Sequence, residues 1–366
     1  MKKIGILGGG QLARMMLLEA NRMGMDCWVM SSSSNDPAAQ VSNKWIEGDI
    51  KKSADVLKFA KKVDLLTFES EFVSPSILEK FVDKKITCYP SAKHMLAIQD
   101  RLSQKKMLDK HKVPTSPFYQ ADSYRELTKL KDKVSLPLVL KARRDGYDGK
   151  GTYILKSWND EECRKFYKKI NSGVIAEHFI PFKRELAVSL VRNTKGEIVF
   201  FPLVESFQEE CRCLWVKGPV EHKKFKALKK RLKDLVDREK YVGFISFELF
   251  DDGKELMVNE VAPRVHNSAH YSQNALSLDQ FSAHLKAIAG DVIKEPKVLT
   301  GGFAMYNLIG STDKKAKWNF KSDVFFHWYG KEDNRPGRKM GHLNINSDNP
   351  NKALKKLLEV RKEIKL

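Results

Sequence analysis

The first ninety residues alternate short apolar runs with helix-patterned stretches, and few folds accept that alternation. Residues 4–7, 27–30 and 65–68 read as strands, with helices at 11–23 and 54–61 among them. Strands joined through helices run parallel, because each crossover carries the chain back over the sheet, so an open parallel sheet is expected here. The start, Met1-Lys2-Lys3, begins like a secretory leader, but three glycines, Gln11 and Arg14 interrupt the apolar run that follows. It reads as a first strand. At 366 residues, 42% hydrophobic and 31% charged, the chain is long enough for two or three packed domains and too apolar for a disordered one. No stretch approaches the ~18 uninterrupted apolar residues of a membrane span, which excludes channels and transporters and predicts no membrane partner.

The texture changes near residue 100, where we place a boundary. A helix over 100–112 stops at Val113-Pro114, and strand signals then come in hairpin-like pairs: 138–142 with 152–155, 186–192 with 198–202, and 244–250 with 255–261. Lys195-Gly196 and Asp252-Gly253 mark two turns, where glycine tolerates positive φ. That makes the middle of the chain α+β. After a helix at 279–289, the last part carries strands at 304–309 and 324–329 and a helix over 353–366, with Leu354, Leu357, Leu358 and Ile364 on one face.

Sixty-six bases against 46 acids leave +20, a surplus that attracts polyanions, from nucleic acids to phosphorylated small molecules. The densest basic stretch, 221–240, repeats Phe225, Leu228, Leu232 and Leu235 at helical spacing, so its lysines read as a solvated helix face. A nucleic-acid binder would want aromatics interleaved with those bases, or a recognised module, and neither is present. Five scattered cysteines without a C-x-x-C pair argue for reduced thiols in a cytoplasmic setting and against zinc. Cys211 and Cys213 read as two strand residues.

Gly8-Gly9-Gly10-Gln11-Leu12-Ala13 matches G-x-G-x-x-A between a strand and a helix, a layout in which amides approach a phosphate. A dinucleotide site would also need an acid after the second strand, where residues 31–34 are all serine. NAD therefore loses ground; a phosphate-adjacent turn and plain helix–strand packing both remain. The loop Lys141-Ala142-Arg143-Arg144-Asp145-Gly146-Tyr147-Asp148-Gly149-Lys150-Gly151 joins two strand-like runs with no G-K-[ST] and no following helix, so it is no Walker loop. Its glycine amides and cations suit a flap folded over a triphosphate.

Glu248 and Glu260 stand inside apolar strand runs, where a carboxylate is costly unless paired or metal-bound. With the amide oxygen of Asn259 they offer the hard ligands magnesium takes when phosphates complete its shell. Strand alternation places both acids on one face only if the turn at 251–254 has an odd number of residues, and we expect the odd loop. Asn259 and Glu260 are adjacent, so both reach a metal only if a bulge breaks the alternation. Arg264 and His266 follow directly. Further on, Lys331 and Arg335-Pro-Gly-Arg338-Lys339 present cations on a fixed turn, suited to a phosphate monoester.

These residues together resemble the ATP-grasp ligases, and within them the 5-(carboxyamino)imidazole ribonucleotide synthetases of purine biosynthesis. The likeness is nearly full length. It runs through residues 8–15, Thr67-Phe-Glu69, 99–105, 146–151, Asn259-Glu-Val-Ala-Pro-Arg264-Val-His266-Asn267-Ser268 and 335–342. It implies a Rossmann-like preATP-grasp domain (1–100), an ATP-grasp domain (101–295, lid at about 115–178) and a small C-terminal domain (296–366). ATP would be contacted by Arg101, Lys141, the loop Gly146, Tyr147, Asp148, Gly149, Lys150 and Gly151, then Glu177, His178, Phe179, Ile180, Glu185, Asn259 and Glu260. Glu248 and Glu260 would hold Mg2+, or Mn2+ in its place. The family's reaction phosphorylates bicarbonate, as co-substrate, to carboxyphosphate and passes carbon dioxide to the amine of aminoimidazole ribonucleotide. Lys331 and Arg338 would grip the ribonucleotide phosphate, with Gly10 and Gln11 adjacent to the substrate. Tyr147, Asp148, Lys150, Arg264, His266 and Asn267 would line the reacting centre. A homodimer and a hand-off to the mutase that consumes the product are also implied. Asp145, Gln208 and Cys211 depart from the family pattern, where glycine, histidine and glycine are usual; Arg143 and Arg144 are expected to offset Asp145. Two readings compete: another ATP-grasp carboxylate–amine ligase, and a basic nucleic-acid-binding protein.

Overall fold

The computed structural model describes the chain except residues 1, 145, 147, 148, 150, 171, 312–315, 321, 322 and 366, and the side chain of 365. Its first sheet is the expected parallel one. Four strands run in the order Trp45–Glu47, Cys27–Ser31, Ile4–Leu7, Leu65–Phe68, so the first strand lies in the middle, with Ile4 opposite Cys27 on one side and Leu65 on the other. Helices Gln11–Arg22 and Ser53–Ala60 cross over it within a residue or so of the expected bounds. Two further helices, Pro75–Asp83 and Ala92–Gln99, escape the sequence reading; each is short, one opened by Pro75 and the other by the Ser91 side chain accepting from His94 N.

Asp100 then caps the helix Arg101–Lys110 through the amides of Leu102 and Ser103. Beyond it a separate antiparallel sheet, in the order Phe118–Ala121, Val174–His178, Leu138–Ala142, Thr152–Leu155, closes over its own core of Leu138, Leu140, Leu155, Cys163, Val174 and Ala176. The hairpin of Leu138–Ala142 with Thr152–Leu155 forms as expected and carries the second glycine loop at its tip.

The central sheet is larger than the hairpin pairs suggest. It runs Leu256–Ala262, Gly243–Asp251, Arg184–Arg192, Val204–Glu209, Arg212–Gly218, Gly302–Ile309, Lys339–Ser347, Phe325–Trp328, with Ile198–Phe200 paired to Arg184–Arg192. The C-terminal strands Gly302–Ile309, Phe325–Trp328 and Lys339–Ser347 thus continue this sheet, while Lys317–Trp318 and Ile364–Lys365 pair in a small antiparallel sheet of their own. The basic helix Phe225–Arg238 buries Leu228, Leu232, Leu235 and Val236 against that sheet and leaves its lysines outward. Each such side chain contributes roughly 1.5–3 kcal/mol of burial, reason enough for the helix without a polyanion.

Three local expectations fail. The last helix spans Pro350–Val360, and the chain then turns into the short strand Ile364–Lys365, so Ile364 reaches the same core as Leu357 from a strand while Leu358 is exposed. Cys211 lies in the turn before Arg212–Gly218, not in the strand, and both Glu210 and Cys211 have positive φ, 48° and 61°. The loop between Asp251 and Leu256, paired across the hairpin, is four residues long, not odd.

Candidate active site

The even loop should set Glu248 and Glu260 on opposite faces. A bulge restores them to one. Leu249 faces Val258, yet Glu248 faces Glu260, so Asn259 is the extra residue and alternation restarts after it. On the other side Glu248 pairs with Ala187, which puts Glu185 two residues along on the same face. Burial, and then the fields of Glu260 and Glu185, push the Glu248 carboxyl up to about 8; burial alone pushes Glu185 up to about 7. Carboxylates gathered like this repel one another until a cation arrives. Among the described residues no group of three or more His, Cys, Asp or Glu side chains could hold a metal ion by itself. The donor set fits magnesium in the manner of nucleotide enzymes, two carboxylates with phosphates and water completing the shell. The Asn259 amide oxygen does not join it here, because it accepts from Lys141 Nζ at 3.0 Å.

Lys141 also stands 3.1 Å from Glu177 Oε1, while Lys105 stands 3.0 Å from Oε2 and Ser116 donates to the same oxygen at 2.6 Å. Burial would raise Glu177, but the two ammoniums and the hydroxyl hold it down at about 2; burial lowers Lys105 to about 8 against the pull of that carboxylate. Glu177 is thus a buried clamp on both lysines. Its successors His178, Phe179 and Ile180 lead from the four-stranded antiparallel sheet toward Arg184–Arg192; His178 lies over Tyr119, and Phe179 is exposed.

Arg101 reaches from its helix to the carbonyls of Ala142 and Gly146 at 2.9 and 3.0 Å, and lies 3.7 Å from Glu260. It therefore ties the glycine loop to the acidic hairpin. Gly149 and Gly151 take positive φ in that loop; Tyr147, Asp148 and Lys150 lie outside the described residues, as does Asp145. Arg143 and Arg144 both turn to Asp100, at 2.6 and 3.4 Å, and Arg143 also holds Asp122; their expected offset of Asp145 lies outside the described residues. Cys211 sits where a Cβ on Gly149 would come within 2.7 Å of its sulfur, so the positive-φ turn presses on the glycine loop. Gln208 pairs with Cys213 where that hairpin's register shifts.

After the acidic hairpin, Arg264 gives Nε and Nη2 to the two oxygens of Glu71, in the loop after the fourth parallel strand, and Nη1 to Val265 O. His266 Nδ1 accepts from Ser268 N and faces its hydroxyl at 2.9 Å, which leaves the ring proton on Nε2, 3.7 Å from Glu248. Burial, then the Arg264 charge, lower its pKa to about 3, so the imidazole is neutral. Asn267 opens the next turn and contacts the Cys213 thiol.

The first glycine turn is not an open phosphate cradle here. Glu69 occupies it, accepting from Gly10 N at 2.8 Å and Ala13 N at 3.3 Å, and a Cβ on Gly8 or Gly10 would strike its carboxyl. Gln11 begins the helix above. Lys331 donates to Lys339 O at 2.7 Å; burial, then Arg338, Lys339 and Arg335, lower it to about 7, while Glu69 pulls the other way. Arg338 rests on Asp333 near the surface.

Three residues the sequence reading left without a role stand out. Lys105 betrays itself by spacing, three residues from Leu102 and from Leu108 on the buried face of its helix. Glu69 and Glu71 follow the carboxyl end of a parallel strand, the crevice where open α/β sheets bind ligands.

Comparison with known proteins gives the same outline. Family profiles described as a ribonucleotide synthetase preATP-grasp domain, an ATP-grasp domain and a phosphoribosylaminoimidazole carboxylase C-terminal domain match residues 1–99, 106–281 and 304–356. An N5-carboxyaminoimidazole ribonucleotide synthase of Synechococcus elongatus is 33% identical over 352 residues, 93% of this chain and 89% of that one. The crystal structure of the Thermus thermophilus synthetase superposes with a TM-score of 0.87 at 33% identity, over 98% of each chain. That of an Aspergillus clavatus synthase in complex with ADP and 5-aminoimidazole ribonucleotide gives 0.83 at 28%, over 99% of this chain and 98% of that one. An acidic hairpin facing a lysine-clamped, glycine-looped cleft, on a chain so matched from end to end, places the protein in the N5-carboxyaminoimidazole ribonucleotide synthase family of ATP-grasp enzymes.

Proposed function

We propose that the chain carboxylates 5-aminoimidazole ribonucleotide in purine biosynthesis, using ATP and bicarbonate and releasing ADP and phosphate. The observation that carries this reading is the Glu248–Glu260 pair, brought opposite each other by a bulge and facing Arg101 and Lys141. ATP lies with its phosphates between the lid sheet and the acidic hairpin. When bound, Mg2+ or Mn2+ at Glu248 and Glu260 supplies charge neutralisation to the transferring phosphoryl group. Lys141, Arg101 and the glycine loop with Tyr147, Asp148 and Lys150 hold the phosphates and shut out water. A bicarbonate oxygen takes the γ-phosphoryl group and ADP leaves. Carboxyphosphate then breaks to carbon dioxide and phosphate, and the substrate amine bonds to the carbon and gives up a proton, leaving the carbamate.

Within that cleft Arg264 supplies fixed positive charge to the anionic intermediate, and the neutral His266 presents an N–H rather than a second charge. Asn267 completes the reacting centre. Glu185, His178, Phe179 and Ile180 line the nucleotide, and Asn259 steadies Lys141. Lys331 and Arg338 take the ribonucleotide phosphate, close to Gly10 and Gln11. Water must be kept out because carboxyphosphate is a labile anhydride. Among the described residues no helix is long and apolar enough to cross a membrane, and all five cysteines are free thiols. In this reading, as the family resemblance implies, the enzyme works in the cytoplasm as a homodimer that hands its unstable product to a mutase.

The test is ADP release with magnesium, bicarbonate and the ribonucleotide each omitted in turn. Release should collapse without magnesium and fall sharply without either co-substrate. Turnover indifferent to both bicarbonate and the ribonucleotide would overturn the substrate assignment.

A further inference from the structure

We infer that Glu71, an N-terminal-domain residue, is a positioning residue that sets the orientation of Arg264 for the carboxylation. The inference rests on the proposed reaction, in which Arg264 faces the anionic intermediate. A long arginine carries about 2 kcal/mol of rotamer freedom, and a group that must meet a short-lived anion loses rate if it has to be ordered at that moment. Glu71 removes that freedom beforehand. Its two oxygens take Nε and Nη2 side by side, and Val265 O takes one proton of Nη1. A guanidinium has five N–H groups. Among the described residues, three are committed, two on the Nε–Nη2 edge and one on Nη1, which leaves one on Nη1 and one on Nη2 to serve a ligand.

Glu71 is itself held. Gln99 Nε2 donates to the carbonyls of Glu71 and Val73, at 2.5 and 2.7 Å, so the loop after the fourth parallel strand cannot drift. Burial opposes charge on both partners, yet each keeps its charge more firmly because of the other: the Glu71 carboxyl is lowered and the Arg264 guanidinium raised. Competing acids lie nearby, since Glu69 and Glu260 also raise Arg264. Without Glu71 the fork has two other carboxylates to turn to, one of them in the metal pair. Ordinary cement between two domains would not need to choose among three acids; an aimed side chain does.

A double-mutant cycle tests this on the full-length enzyme. Glu71→Ala should lower kcat about 10- to 100-fold while the KM for ATP stays within about twofold. Glu71→Asp, which keeps a carboxylate on a shorter stem, should recover most of the loss, and Glu71→Gln part of it. In an Arg264→Ala background the same Glu71→Ala change should cost less than about twofold, because there is no fork left to aim. An equal loss in both backgrounds, or a kcat within twofold of wild type in Glu71→Ala, overturns the inference. Should Glu71→Ala fail to fold, Glu71→Gln and Glu71→Asp carry the same comparison in both backgrounds. If wild-type ADP release depends on neither bicarbonate nor the ribonucleotide, the carboxylation reading falls, and the cycle read on magnesium-dependent ATP hydrolysis still decides whether Glu71 acts through Arg264.

Discussion

Glu177, which is buried, and Glu248, which is half-buried, lie in the same cleft, and their surroundings drive them apart. Glu177 has two ammoniums and a hydroxyl on its oxygens and is held at about 2. Glu248 has two more acids for company and rises to about 8. Lys141, which might have relieved both, is committed to Glu177 and Asn259. The difference separates two uses of a buried acid. One is neutralised by the fold and positions its cations. The other is left in deficit, which in the proposed reaction a divalent ion would make good once the nucleotide is bound.

Removing Glu177 should therefore produce the largest change in stability. Glu177→Ala leaves the buried Lys105 and the half-buried Lys141 without their counter-ion, a defect commonly worth about 3–5 kcal/mol, to be read from denaturant unfolding of the ligand-free protein. A loss below about 1 kcal/mol would erase the contrast. Glu248→Gln and Glu260→Gln should do the reverse. Turnover should fall on the order of 100-fold or more, since several kcal/mol of phosphoryl charge stabilisation depend on the ion, while the ligand-free melting temperature holds or rises.

The two acids also oppose each other in pH. Glu248, raised in the folded state, binds protons there that the unfolded chain has released, so its contribution falls as pH climbs from about 4.5 toward 8. Glu177, lowered, contributes above about 4.5 and loses that contribution as pH drops toward 2. For ligand binding, magnesium–nucleotide affinity should tighten by up to tenfold per unit as pH rises to about 8, because Glu248 must shed its proton first. Titration calorimetry at pH 6.5, 7.5 and 8.5 measures it, and the slope should flatten in Glu248→Gln.

Much of this contrast was readable before the structure, and for a physical reason. An acid inside an apolar strand run has few explanations, so Glu248 and Glu260 stood out; so did the parallel sheet, whose signal is local alternation. What stayed hidden depends on partners distant in sequence. Alternation alone calls for an odd loop, and a bulge at Asn259 supplies the missing residue instead. The join of Arg212–Gly218 to Gly302–Ile309, which merges the C-terminal strands with the central sheet, has no local signature. Arg264 and Glu71 are 193 residues apart, and nothing in either neighbourhood announces the other. Gly8–Gly10 stays open in the sequence for a different reason: the motif is satisfied by an internal carboxylate, Glu69, as well as by a phosphate.

The smallest expected effect belongs to a cation that extends the comparison. Lys105, buried, and Lys331, half-buried, both have a lowered pKa, but Lys105 has Glu177 in contact, whereas Lys331 donates to a carbonyl among Arg338, Lys339 and Arg335. At about 7 it is only partly charged at neutral pH. A phosphate monoester favours the charged form, so binding takes up a proton and affinity falls as pH rises past 7. The loss should be about threefold between pH 7 and 8, less than the tenfold-per-unit limit because Arg338 keeps its charge throughout. Ribonucleotide titrations at those two values, in buffers of different ionisation enthalpy, should show the uptake in wild type and lose it in Lys331→Met. An affinity that climbs steadily with pH in wild type would mean that Lys331 stays charged without a ligand, and that the cationic turn, unlike the acidic hairpin, carries no deficit for its ligand to fill.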